Sequence, residues 1–196
     1  MTYKKRQWWP GATLHITARG NHRNDIFRDE EDFQVYLEYI EEAVEYYEGK
    51  FEVYGYCLMD NHVHLLVKTE DMHISYLISR VHSIYAKFFN KKYKYIGHLF
   101  QDRYFTELIE DDVQILSTIR YIHLNPVRAN MVKKPEDYNW SSYSMTIGLK
   151  NEKLINSKRI LDYFISKYSR ELYRAFVESA IKEKYNEEDE EVGISS

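Results

Sequence analysis

Apolar and polar positions alternate at the start of the chain, and the period of that pattern changes further along. Across 12–19, Leu14, Ile16 and Ala18 alternate with Thr13, His15, Thr17 and Arg19, which predicts a strand with one apolar and one polar face. Gly20-Asn21-His22-Arg23-Asn24 is rich in turn formers and reads as a loop. Asp29 can cap a helix over about 30–48, where Phe33, Leu37, Ile40, Val44 and Tyr47 recur at helical spacing. Residues 51–59 and 62–68 predict two strands with only Asp60-Asn61 between them, hence a tight hairpin. In the second of these, Val63, Leu65 and Val67 face one way, and His62, His64, Leu66 and Lys68 the other. Ile74, Leu77, Ile78, Val81, Tyr85 and Phe88 predict a long helix over 73–92. A fourth strand follows over 103–109. A further helix begins at Asp111 and Asp112 and is expected to end near Asn125, because Pro126 disfavours helical geometry in the residue before it.

The order βαββαβ followed by a helix predicts an α+β fold, a ferredoxin-like antiparallel sheet in which the first strand lies beside the third. His15, His62 and His64 then share the sheet surface away from the first two helices, and the added helix at 111–125 is left to cover that surface. Residues 135–149, with Tyr138, Trp140 and Tyr143, predict a short helix. Two more are expected over about 157–167 and 169–185, ahead of an acidic end. The expected organisation is one domain over 1–149 and a C-terminal helical extension over 150–196.

Charge changes this picture by its distribution rather than its sum. The 196 residues carry a net charge of −4, which by itself argues against nucleic acid. Residues 182–191 hold six acids against two lysines, so that segment alone accounts for the excess. Residues 29–52 hold ten acids against Lys50, whereas 3–28 carry six Lys or Arg against Asp25, and 80–105 carry six against Asp102. The sorting suggests one basic and one acidic surface, although charge runs also simply solvate helix faces. Cys57 is the single cysteine, so no disulfide framework or thiolate metal site is expected. With no long apolar run and no signal-like leader, a cytoplasmic location without a membrane partner is expected.

Two constellations carry candidate chemistry. In His62-Val63-His64, imidazoles at i and i+2 of a strand point to the same side, within reach of one metal ion. By itself the pattern also fits, and more often marks, a pair of histidines that merely find hydrogen-bond partners. On the helix at 111–125, Gln114, Thr118, Tyr121 and Asn125 form one polar stripe, while Ile115, Ile119 and Ile122 form a core face. If the stripe meets the histidines, a phenol, an amide and two imidazoles converge; if it faces water, they do not.

The segment Tyr56-Cys57-Leu58-Met59-Asp60-Asn61-His62-Val63-His64-Leu65-Leu66-Val67 resembles the His-hydrophobic-His segment of the IS200-like (Y1, HUH) transposases, and within them most resembles the REP-associated tyrosine transposases. The resemblance continues in His15–Asn21 through Ile26-Phe27, in Phe100–Tyr104, in Tyr121–Val127 and in Trp140–Tyr143, covering about 12–145. It implies an HUH endonuclease that cuts and rejoins single-stranded DNA through a 5′-phosphotyrosine. Tyr121 is the implied nucleophile, with His62 and His64 holding a divalent cation, Mg²⁺ or Mn²⁺. The implied third ligand is Asn125, where related transposases often have the longer Gln. His15 and His123 are candidates for taking the phenol proton.

The implied partner is single-stranded or hairpin DNA. Its candidate contacts are Arg19, Asn21, Arg23 and Arg28 from the first loop region, and Lys87, Lys91, Lys92, Lys94 and Arg103. A homodimer is compatible with the sequence. Two other readings compete: a two-histidine phosphoesterase, for which His15-Ile16-Thr17 supplies only one of two H-x-Thr/Ser strands, and a domesticated hairpin-DNA binding protein that no longer cleaves.

Overall fold

A computed structural model describes residues 7–193, with side chains for 7–181. Lys4, Lys5 and Arg6 therefore lie outside the described residues, as do the acidic side chains expected at the C-terminal end. The chain forms β1 (Thr13–Arg19), α1 (Glu30–Tyr46), β2 (Phe51–Met59), β3 (His62–Thr69), α2 (Ser75–Tyr93), β4 (Phe105–Ile109) and α3 (Asp112–Arg128). Three further helices follow: α4 (Tyr143–Thr146), α5 (Lys158–Leu161) and α6 (Ser169–Gly193). The four strands make one antiparallel sheet in the order β2-β3-β1-β4, so β1 lies beside β3.

The alternation along β1 and β3 sorts side chains to two faces. Leu14, Ile16, Ala18, Val63, Leu65 and Val67 join Phe33, Tyr36, Ile40, Leu77, Ile78, Val81 and Tyr85 in the core beneath α1 and α2. Asp29 caps α1 by accepting from the Asp32 backbone N–H at 3.1 Å. Lys92, at the end of α2, is drawn into this cap and sits 2.7–2.8 Å from carboxylate oxygens of Asp29, Glu31 and the buried Asp32. An ammonium so engaged has no capacity left for a phosphate, which removes Lys92 from the expected DNA contacts.

The other sheet face holds a second core. Cys57, Met59 and Leu66 pack with Ile119 and Ile122 of α3 and with Tyr143, Tyr173 and Val177. Gly55 permits this packing: a Cβ there would lie 2.3 Å from Ile119 Cδ1 and 3.1 Å from Ser142 Oγ. The β2–β3 register also shifts between Val53 and Gly55, a local irregularity where α3 crosses.

Several expected boundaries differ. The helix expected to stop at Asn125 runs through Pro126 to Arg128. Proline removes only its own N–H and disfavours rather than forbids helix in its predecessor. Burial of Leu124, Pro126 and Val127 outweighs that preference here. Residues 135–149 form a 3₁₀ turn (Pro135–Asp137) and the short α4 instead of one helix, α5 spans four residues, and α6 is longer than expected. The fourth strand starts at Phe105.

Candidate functional site

The site starts from the register of β1 against β3, which pairs Thr17 with His64 and Arg19 with His62. Their side chains therefore share the face away from α1 and α2, together with His15. His15 Nε2 lies 3.0 Å from His64 Nδ1, and Thr17 Oγ1 lies 3.3 Å from the same nitrogen. On its far side His15 Nδ1 faces Glu107 Oε2 of β4 at 3.5 Å.

One proton assignment suits all these contacts. The Glu107 carboxylate accepts from His15 Nδ1–H, so His15 Nε2 is a lone pair that accepts from His64 Nδ1–H. His64 Nε2 is then also a lone pair, and it is buried with no hydrogen-bond partner. His62 reaches a matching state by another route. Asn61 Nδ2 donates to the Arg23 carbonyl at 3.2 Å, which turns Asn61 Oδ1 toward His62 Nδ1 at 2.6 Å. Nδ1 carries the hydrogen and Nε2 again presents its lone pair.

Electrostatics favour these neutral forms. Burial, reinforced by the Arg19 charge, lowers the His62 pKa to about 4. Burial, then the neighbouring His15, His62 and Arg19, lowers that of His64 to about 3. The His15 pKa is lowered by burial, with Glu107 opposing.

α3 brings the phenol to this surface. Its first turn is closed by Asp111, which accepts from the Gln114 N–H at 2.7 Å, while Gln114 Oε1 accepts from the Glu110 N–H at 2.9 Å. Gln114 thus serves as a cap. Tyr121 stands edge-on to His64 with ring centroids 5.5 Å apart, and edge-on to His15 at 6.1 Å. Tyr121 is 38% exposed, and the Arg128 guanidinium lies 5.1 Å from its ring centroid. His15, Glu107, Ser117, Thr118 and Tyr121 line a cavity of about 350 Å³ beside the ring. Asn125, one turn beyond, donates its amide N–H to the Tyr121 carbonyl at 3.0 Å, which leaves Oδ1 as the donor atom it could offer a cation.

The other predicted residues fall elsewhere. His123 is fully buried, with Nδ1 2.6 Å from Tyr173 Oη and Nε2 2.8 Å from Ser142 Oγ. With both nitrogens engaged, neither is open to the Tyr121 proton. Its place is structural: it ties α3 to α6 and, through Ser142 Oγ, to the Tyr56 backbone of β2. Arg19 and Arg23 are exposed near the histidines' end of the sheet, and Asn21 is half-buried in the same loop. Arg28 stacks on Phe89 and Tyr93, at 4.9 and 4.6 Å. Lys87, Lys91 and Lys94 belong to the C-terminal part of α2 and the residue capping it, and Arg103 precedes β4.

The sequence reading gives Glu107 and Arg128 no role, Asn61 only that of a turn residue, and Thr17 only a place in an H-x-Thr pattern. Arg128 had a signal, since it stands at i+7 from Tyr121, but it was hidden by ending the helix at Asn125.

Could these residues hold a divalent cation? The unpartnered, buried His64 Nε2 and the neutral state of both imidazoles, each with an Nε2 lone pair, fit one. Among the described residues no three His, Cys, Asp or Glu side chains form a metal-binding group.

A histidine pair on a four-stranded antiparallel sheet, faced by a helix-borne tyrosine, defines the class, and the chain belongs to the family described as "Transposase IS200 like", whose model matches residues 10–125. It is 30% identical over 106 residues to a Haemophilus influenzae protein carrying the provisional name REP-associated tyrosine transposase. That match covers 47% of this chain and 59% of the relative, so the chain spans less than two thirds of the relative's length. The fold is similar to a solved REP-associated tyrosine transposase bound to a REP hairpin, with TM-score 0.63, 18% identity, and coverage of 79% of this chain and 90% of that one. Among the described residues no helix is long and apolar enough to cross a membrane.

Proposed function

We propose that this chain cleaves and rejoins single-stranded DNA at folded hairpin ends, with Tyr121 as nucleophile and His62, His64 and Asn125 as the holders of Mg²⁺ or Mn²⁺. In this reading residues 1–149 form the nuclease domain, built on a ferredoxin-like sheet, and residues 150–196 form an extension whose helices α5 and α6 brace α3. The observation that carries the reading is the edge-on contact of Tyr121 with His64, whose buried Nε2 lacks a partner.

A divalent cation held there would neutralise charge on the scissile phosphate. The chain's own residues do the rest. The Tyr121 oxygen attacks phosphorus, the P–O3′ bond breaks, and the 3′-oxygen leaves as a hydroxyl once protonated. The downstream strand stays on Tyr121 as a 5′-phosphotyrosine ester. Attack by another 3′-hydroxyl restores the phosphodiester and returns the phenol, so the bond energy is conserved. His15, in ring contact with Tyr121, has Nδ1 engaged by Glu107 and Nε2 by His64, so in this reading it positions His64 beside the phenol. Arg19 and Arg128 flank the site as phosphate contacts.

The test is a hairpin oligonucleotide with single-stranded flanks, labelled at its 3′ end and incubated with Mn²⁺. Label migrating with the protein on a denaturing gel, and absent with Tyr121→Phe, supports the reading. Hairpin binding without any adduct across varied hairpins, with or without metal, would instead identify a binding protein.

A further inference from the structure

β4 carries a feature that the nicking chemistry does not use. The register of β1 against β4 pairs Thr13 with Ile109, His15 with Glu107 and Thr17 with Phe105, so these side chains share the face of the histidines. Ile109 is covered and joins the core beneath α3. Phe105, at the opposite end of the strand, is 65% exposed. α3 starts just past the Ile109 end and packs across β2 and β3, leaving Phe105 open.

Its position is particular. Phe105, Thr17 and His64 form one cross-strand row over β4, β1 and β3. Neighbouring strands lie ~4.8 Å apart, which sets the Phe105 and His64 backbones roughly 10 Å apart, close enough for both to meet one strand of DNA. β4 is also an edge of the sheet, so a strand of DNA can pass over it.

Isolated exposed aromatics are ordinary on protein surfaces. Here the surroundings favour one kind of ligand. Arg19 is exposed on this same face, paired with His62, and Arg128 stands over Tyr121. The carboxylate of Glu107 is turned to His15. Guanidinium groups and an open aromatic ring on one face match a polyanion whose neutral parts are flat rings.

We propose that Phe105 is a stacking platform for one unpaired base next to the scissile phosphate. This rests on the reading of the site as one for single-stranded DNA. The platform fixes where the strand lies relative to Tyr121 and tolerates any base, since every base has a π-face.

The test measures anisotropy of labelled (dT)12 and of the same strand with its bases removed and its phosphates kept, using the full chain. Phe105→Ala loses about 5- to 150-fold in affinity for (dT)12, the range that stacking on one aromatic spans. Phe105→Trp restores it and Phe105→Leu does not, and all four proteins bind the baseless strand alike. Unchanged (dT)12 binding by Phe105→Ala would overturn the proposal. Equal loss on the baseless strand, rescue by Leu, or no binding of (dT)12 by the wild type would do so too. The nicking assay separates this from failure of the underlying reading. An adduct that depends on Tyr121 together with a silent Phe105→Ala sinks only the platform. Base-dependent loss at Phe105 with no adduct in any protein sinks only the nicking.

Discussion

Tyr173→Phe removes one oxygen atom, 52 positions from the proposed nucleophile, and tests whether the C-terminal extension holds α3 in place. Tyr173 and His123 are both fully buried, and their contact is 2.6 Å. The hydrogens have one assignment that uses every contact: Tyr173 O–H donates to His123 Nδ1, His123 Nε2–H donates to Ser142 Oγ, and Ser142 O–H donates to the Tyr56 carbonyl. Phenylalanine keeps the ring's packing against Phe164 and Phe176 but strands the imidazole acceptor in a dry core. An unsatisfied buried acceptor costs about 1–3 kcal/mol. For a chain of this size each kcal/mol lowers Tm by about 2–4 °C, so a fall of roughly 2–12 °C is expected by calorimetry. Tyr46→Phe is the control, because Tyr46 is 62% exposed and should melt like the wild type. Because His123 is two residues from Tyr121, the adduct should also form more slowly at saturating hairpin, with DNA affinity unchanged. A Tyr173→Phe protein that melts with the wild type and nicks at the same rate would refute the brace.

Three further expectations follow from the same contacts. Asn61→Ala frees His62 from the amide that fixes its tautomer, and should weaken Mn²⁺ binding by about 10–100-fold in a calorimetric titration while leaving Tm close to wild type. Gly55→Ala drives a methyl group into Ile119 and should cost about 1–3 kcal/mol in urea unfolding; a neutral result would mean α3 packs less closely than described. Burial lowers the pKa of both His82 and His123 to about 3, below the ordinary 6.5. The unfolded chain therefore binds more protons below pH 6.5, and stability should fall with pH from 6.5 down toward 3, by roughly 1.4 kcal/mol per pH unit for each such histidine; a flat profile between pH 6.5 and 5 would contradict this.

The parts legible in the sequence were those set by a local period. Alternation alone put His62 and His64 on one face of β3 with Val63 in the core, and helical spacing put Tyr121 and Asn125 on one stripe of α3. The split βαβ order then sets the helix on the histidines' side of the sheet, and leaves open whether its polar stripe meets them or faces water. What stayed hidden depends on register and tertiary burial. Glu107 touches His15 because β4 pairs with β1 at one particular offset, and an irregular five-residue strand announces no offset. Asn61 read as a turn residue, and its second task, holding the His62 tautomer, requires knowing that the Arg23 carbonyl takes its other end. Pro126 looked like a stop, yet its neighbours are buried strongly enough for α3 to continue to Arg128. His123 and Lys92 looked available by composition and were already bonded, the first inside the C-terminal core and the second to three carboxylates.

The most direct measurement is mass spectrometry of the covalent adduct trapped with a hairpin oligonucleotide and Mn²⁺, digested with trypsin and nuclease. Cleavage after Arg120 and Arg128 isolates residues 121–128. The account predicts a 5′-nucleotide ester on the single tyrosine of that peptide, Tyr121. An adduct on any of the other tyrosines, or cleaved DNA without any attached protein, would contradict it.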